Sequence, residues 1–112
     1  MKKGMLFFLL LSLSLCGACN QTIPLNHYLQ YSVVDNQGGY IVYYNDDGSI
    51  HDNLQKPLRL ISVVDGEKAP KVEAVAQTGY KFASWSDGKN DPVRNDGLIF
   101  ENLEISVSFE AI

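Results

Sequence analysis

The strictest alternation on the chain is in residues 104–112, EISVSFEAI. Ile105, Val107, Phe109 and Ala111 fall on one face, and Glu104, Ser106, Ser108 and Glu110 on the other. A period of two marks a strand with one buried and one wet face. Residues 72–77, VEAVAQ, alternate in the same way, with Val72, Ala74 and Ala76 opposed to Glu73, Val75 and Gln77. Two runs rich in aromatic and β-branched residues come earlier. YLQYSVV (28–34) ends at the turn cluster DNQGG, and YIVYY (40–44) ends at NDDGS. Together they predict a β-hairpin. Residues 58–64 read as a further strand. Pro57 keeps the residues before it out of a helix interior or a central ladder, while a short helix fits between His51 and Lys56. No window sustains a long helical period. The pattern predicts a mainly β chain with at most one short helix, folded as a small antiparallel or mixed sheet.

The stretch GYKFASWSDG, residues 79–88, breaks the alternation. Tyr80 and Phe82 share a face, but Trp85 comes three positions after Phe82 and falls on the other. Either both faces of the sheet are covered, or a bulge near Ala83 and Ser84 returns Trp85 to the core. The SDG that follows predicts a turn, with Gly88 free to take positive φ. Arg94 is expected to pair with Asp87 or to lie over Trp85.

At these residues the chain resembles the internalin B-type B-repeat, a Listeria–Bacteroides repeat-like module. The matching positions are Gly79, Tyr80, Phe82, Trp85, Ser86, Asp87, Gly88, Arg94 and Phe109. The resemblance is strong from Val72 onward and looser back to Tyr28. It implies a β-grasp-like sheet module on an exported bacterial protein, with no catalytic residue and no cofactor. It also implies that these motif residues are structural.

The start of the chain reads differently. Lys2 and Lys3 precede MLFFLLLSLSL, an uncharged apolar run over residues 5–15. That is the layout of a secretory signal, and it is shorter than the roughly 20 residues a membrane-spanning helix needs. LCGAC then resembles a bacterial lipobox, with Gly17 and Ala18 before the cut and Cys19 as the lipidated new terminus. Cys16 departs from the usual aliphatic residue at that position, so secretion with cleavage near Ala18 stands as the alternative. The expected division is a signal peptide over 1–18, a lipidated tether over 19–27 and the β domain over 28–112. Both cysteines lie at the processing site, so the mature domain holds no structural disulfide and no thiolate metal site. Loss of Lys2 and Lys3 would make a chain already at −4 more acidic still. Its basic residues, Arg59 and Arg94 included, are scattered among acids. They read as a solvated surface and argue against nucleic acid.

Candidate chemistry is thin. Ser84, Ser86 and Asp87 need a base, and only His27 and His51 are available beyond the signal. A calcium loop needs oxygen ligands at alternate positions; in YYNDDG Tyr43 stands where the first ligand belongs, and NDDGS and SDGKND read as ordinary acidic glycine turns. The histidines lack metal spacing. The expected role is non-enzymatic, as a protein-interaction module or an envelope spacer, with glycan binding as the alternative; the expected partners are the membrane, through the lipid, and a protein or a glycan. For a glycan, the candidate surface is an exposed tyrosine face from Tyr40, Tyr43 and Tyr44.

Overall fold

The computed structural model describes residues 25–112. Cys16, Cys19 and the signal segment lie outside them. Seven strands run in chain order: β1 Asn26–Val33, β2 Gly39–Tyr43, β3 Leu58–Val64, β4 Val72–Ala76, β5 Tyr80–Trp85, β6 Val93–Arg94 and β7 Leu103–Ala111. A four-stranded mixed sheet has the order β3-β1-β7-β5, and a three-stranded antiparallel sheet the order β2-β4-β6. The fold is mainly β, as the alternation predicts. The only helical turn among the described residues is a 3-10 turn at Val34–Asn36. No helix forms between His51 and Lys56, where a single bridge pairs Lys56 with Ile41.

The first and last strands lie side by side, parallel, in the middle of the larger sheet. Everything between them is the crossover that a parallel pair requires. Side-chain parity builds the core. Leu29, Tyr31 and Val33 of β1 face inward with Ile61 and Val63 of β3 and Val107 of β7. Ile41, Val72 and Ala74 face them from the smaller sheet, and Trp85 completes the cluster. Two sheets sharing one apolar interior is a stable layer arrangement for a domain of this size.

The expected hairpin between the runs at 28–34 and 40–44 does not form. β1 pairs with β3 and β7, and β2 pairs with β4. DNQGG is a corner between layers rather than a hairpin turn. Asp35 and Asn36 take left-handed backbone at φ 58° and 51°, and Gly38 takes φ 97°. Asp and Asn tolerate that region better than other side chains, and this swings β2 into the other sheet. A Cβ on Gly39 would come within 2.5 Å of the Val75 carbonyl oxygen and Phe109 Cζ. Two small residues are therefore needed where β2 crosses under Phe109.

The domain also begins earlier than residue 28. β1 starts at Asn26, and His27, expected in the tether, is buried with its Nε2 2.7 Å from Asp65 Oδ1. A polar residue with a carboxylate partner enters a core that its hydropathy alone would not place it in.

Candidate functional site

The motif residues assemble along β5 and its flanks. The register of β5 against β7 shifts between Phe82 and Ser84, so Ala83 is the bulged residue and Trp85 returns to the core side. Trp85 is 1% exposed and donates its indole N–H to the Asp91 carbonyl at 2.8 Å. Phe82 meets it at 6.2 Å between ring centroids. Gly88 closes the turn at φ 92°. Gly79 opens β5 with φ 90°, and Tyr80 and Phe109 pack around Gly38 at the far end of the strand.

Arg94 does both things expected of it. Its guanidinium lies 4.9 Å from the Trp85 ring and donates to Asp87 Oδ2 at 2.8 Å. A second carboxylate, Asp96, accepts from it at 2.6 Å, and the Tyr31 hydroxyl donates to that same Asp96. The sequence offered no signal for Tyr31 and Asp96, because their contact depends on how β1 crosses the β6 loop. Burial opposes the charge on Arg94, but the bonds to Asp87 and Asp96 outweigh it and raise its pKa. The Arg94 bond holds Asp87 below the usual carboxylate range. Burial, reinforced by the Asp96 bond, pushes the Tyr31 hydroxyl well above its ordinary value. The corner is a closed charge cluster in which each partner is bonded, the condition under which a buried ion pair is tolerated.

The reading of the basic residues as a solvated surface fails at two positions, since Arg59 and Arg94 are both buried. Arg59 points inward from β3. It grips Asp52 with two nitrogens at 2.7 and 2.9 Å, and donates to the carbonyls of Ile41 and Leu54. The grip holds Asp52 far below the usual carboxylate range. A guanidinium with each of its three nitrogens donating to a fixed acceptor offsets the cost of burial in a way a lysine's single ammonium does not.

The other candidates find partners of their own. Ser86 Oγ accepts from the Ser106 N–H, and the Ser86 N–H donates to the Ser106 carbonyl, so Ser86 clamps β5 to β7. Ser84 lies opposite Ser108 in the same ladder. His27 is held by Asp65, while His51 stacks on Tyr43 at 4.3 Å and contacts Asn45. In the NDDGS turn, Asp47 accepts from both the backbone and the hydroxyl of Ser49. Tyr43 lies between His51 and Arg59, whose guanidinium is 5.5 Å from its ring. Tyr44 bonds Glu73 at 2.6 Å and carries Lys71 over its ring at 4.3 Å. Tyr40 and Tyr44 share the outer side of β2, and Tyr43 is on the other, packed toward the core.

The exposed feature that parity produces is the outer face of the four-stranded sheet. On its β3–β1 side stand Tyr28 and Leu60, each 61% exposed, Leu58 at 50% and Val64. The register makes them neighbours: Tyr28 opposes Ser62, Gln30 opposes Leu60, and Ser32 opposes Leu58. Toward β7 and β5 the same face turns polar through Glu104, Ser106, Ser108, Lys81 and Glu110. A shallow groove beside Tyr28, Leu60, Asn102 and Glu104 marks the border. No family model, curated protein or solved structure matches this chain.

Proposed function

We propose that this chain is an exported bacterial lipoprotein, held at the membrane by a lipid on Cys19, whose β domain is a non-enzymatic protein-interaction module. The observation that carries the reading is the apolar half of the outer sheet face, Tyr28, Leu58, Leu60 and Val64. Large side chains grouped on one face mark an interaction site, because a monomer gains nothing by leaving them in water. The signal and lipobox pattern ahead of the domain supports the location, and the resemblance of residues 72–112 to the B-repeat supports the class. Residues 19–24 reach at most about 20 Å, so the anchor keeps the domain close to the bilayer.

Metabolic labelling with a palmitate analogue tests the anchor. Label is expected on the wild type and not on Cys19→Ala. No label on the wild type, or undiminished label on the variant, overturns it in favour of secretion. A photo-cross-linker at Tyr28 tests the face in intact cells, where a defined protein adduct is expected there and none at Glu110. No adduct at Tyr28 overturns the face assignment.

A second reading has one observation in its favour. Tyr44 borders a polar groove of about 450 Å³ that Asn45, Lys68, Lys71 and Asn95 also line. A glycan site there predicts array binding that is lost on Tyr44→Ala.

A further inference from the structure

The edge strand β3 offers an unfilled hydrogen-bond ladder, and its chemistry says what fits. The Asp65 N–H donates to Leu25 and the Val33 N–H to Pro57, so these are the bonded pairs at the two ends of the β1–β3 ladder. Bonded pairs alternate along an antiparallel ladder. The backbone groups of Arg59, Ile61 and Val63 therefore point to β1. Those of Leu58, Leu60 and Ser62 point away from the sheet, where β3 has no further strand among the described residues. Their side chains lie on the exposed outer face, so open backbone and exposed leucine coincide at Leu58 and Leu60.

Edges of this kind are usually guarded by an outward lysine, a proline or a bulge. Between Leu58 and Val64 there is none. The one charge on β3, Arg59, is turned inward and bonded to Asp52. The opposite edge is guarded. β5 carries the bulge at Ala83, its Tyr80 N–H is bonded to Gln77, and its Trp85 N–H is bonded to Lys89.

We infer that β3 pairs antiparallel with β3 of a second copy of this chain, about a two-fold axis at Leu60, joining two four-stranded sheets into one. In that register Leu60 lies opposite Leu60, and Leu58 opposite Ser62, so every open residue meets an open residue. About six backbone bonds form, since each bonded pair exchanges two. Leucines from both copies gather on the outer face, flanked by the two Tyr28 rings. Nothing charged faces its own image, so the strand is self-complementary as a two-fold interface requires. An interface of this size is weak in solution, and membrane anchoring would strengthen it by raising the effective concentration. The inference deepens the proposed function, naming a second copy as the protein that meets the apolar face.

The test leaves the lipid out, so its outcome is separate from that of the anchor. The chain tested starts at residue 19 with Cys19→Ser, which removes both thiols and keeps all of residues 25–112. Sedimentation across a concentration series is expected to show monomer converting to dimer. On mild oxidation Leu60→Cys should form a disulfide dimer, and Lys81→Cys on the other edge should not. Leu60→Lys should weaken association roughly tenfold or more with an unchanged melting curve in the dilute, monomeric chain, because like charges facing across a strand pair repel. Should Leu60→Lys fail to fold, Ser62→Lys sets an edge-guarding lysine against Leu58 of the other copy and should weaken the pairing by placing an unpaired charge in the seam. A chain that stays monomeric with no Leu60→Cys cross-link overturns the pairing. A dimer indifferent to both lysine variants also overturns it.

Discussion

The two outer strands of the four-stranded sheet are each tied down by a buried arginine, yet they end in different ways. On the β5 side, Arg94 joins Asp87, Asp96 and, through Asp96, Tyr31, and it lies over Trp85. The strand beside it is bulged and bonded into its own turns. On the β3 side, Arg59 joins Asp52 and two carbonyls. Its strand pairs with β1 without a register break, carries apolar side chains outward and leaves alternate backbone groups unfilled. The same device thus serves two ends. At β5 the arginine secures the corner beside an edge that the bulge and turn bonds close, and at β3 it takes the strand's only charge inside and leaves the edge open to another strand.

The largest effect should come from Arg94→Ala. It strands Asp96, whose side chain is only 8% exposed, and releases Asp87 and the Trp85 face. Breaking a buried pair by removing one partner costs about 3–5 kcal/mol, read as a fall in the denaturant midpoint. An unchanged unfolding curve would remove the corner from the account. Arg59→Ala should cost less, about 2–3 kcal/mol, through two orphaned carbonyls and the loss of its packed stem. Its carboxylate partner is more exposed than Asp96 and can return to water. Equal losses at the two arginines would erase the difference between the edges.

Tyr31→Phe should cost about 1.5–3 kcal/mol, the contribution of a hydrogen bond to a charged acceptor. It should also change the pH profile. The folded chain raises the Tyr31 pKa, so it keeps the proton where the unfolded chain begins to lose it. The resulting stability is complete below the ordinary tyrosine value of about 10 and is lost as pH rises past it. The variant should show a shallower alkaline fall in thermal melts, and an identical fall would contradict the assignment. Leu60→Lys should be the smallest effect, within about 0.5 kcal/mol, because an exposed side chain contributes little to the isolated fold.

Legibility in the sequence follows the same division. The β5 corner could be read because its signal is local: Phe82 to Trp85 breaks parity, two small residues accommodate the bulge, and SDG closes the turn. The last strand could be read because Ile105, Val107 and Phe109 alternate without exception. β3 could be placed but its role could not. Arg59 alternates with leucines, and hydropathy alone turns leucine inward and arginine outward. The structure does the opposite, because Asp52 and two carbonyls complete the guanidinium. Those partners come from a loop whose position no local pattern encodes. The hairpin expected at DNQGG failed for a related reason. Turn composition identifies a change of direction, but the left-handed Asp35 and Asn36 decide that the chain changes sheets. The open ladder on β3 became visible only once the register against β1 was known.

Residue-resolved amide hydrogen exchange across β3 measures that ladder directly. In the dilute chain, the Leu58, Leu60 and Ser62 amides should exchange fast while Arg59, Ile61 and Val63 stay protected, since only the latter are bonded to β1. As concentration rises, the three fast amides should become protected together, and the Phe82 amide on the β5 edge should not change. Uniform protection along β3 at high dilution, or fast exchange at its even positions at every concentration, would contradict an edge that is open alone and filled by its own copy.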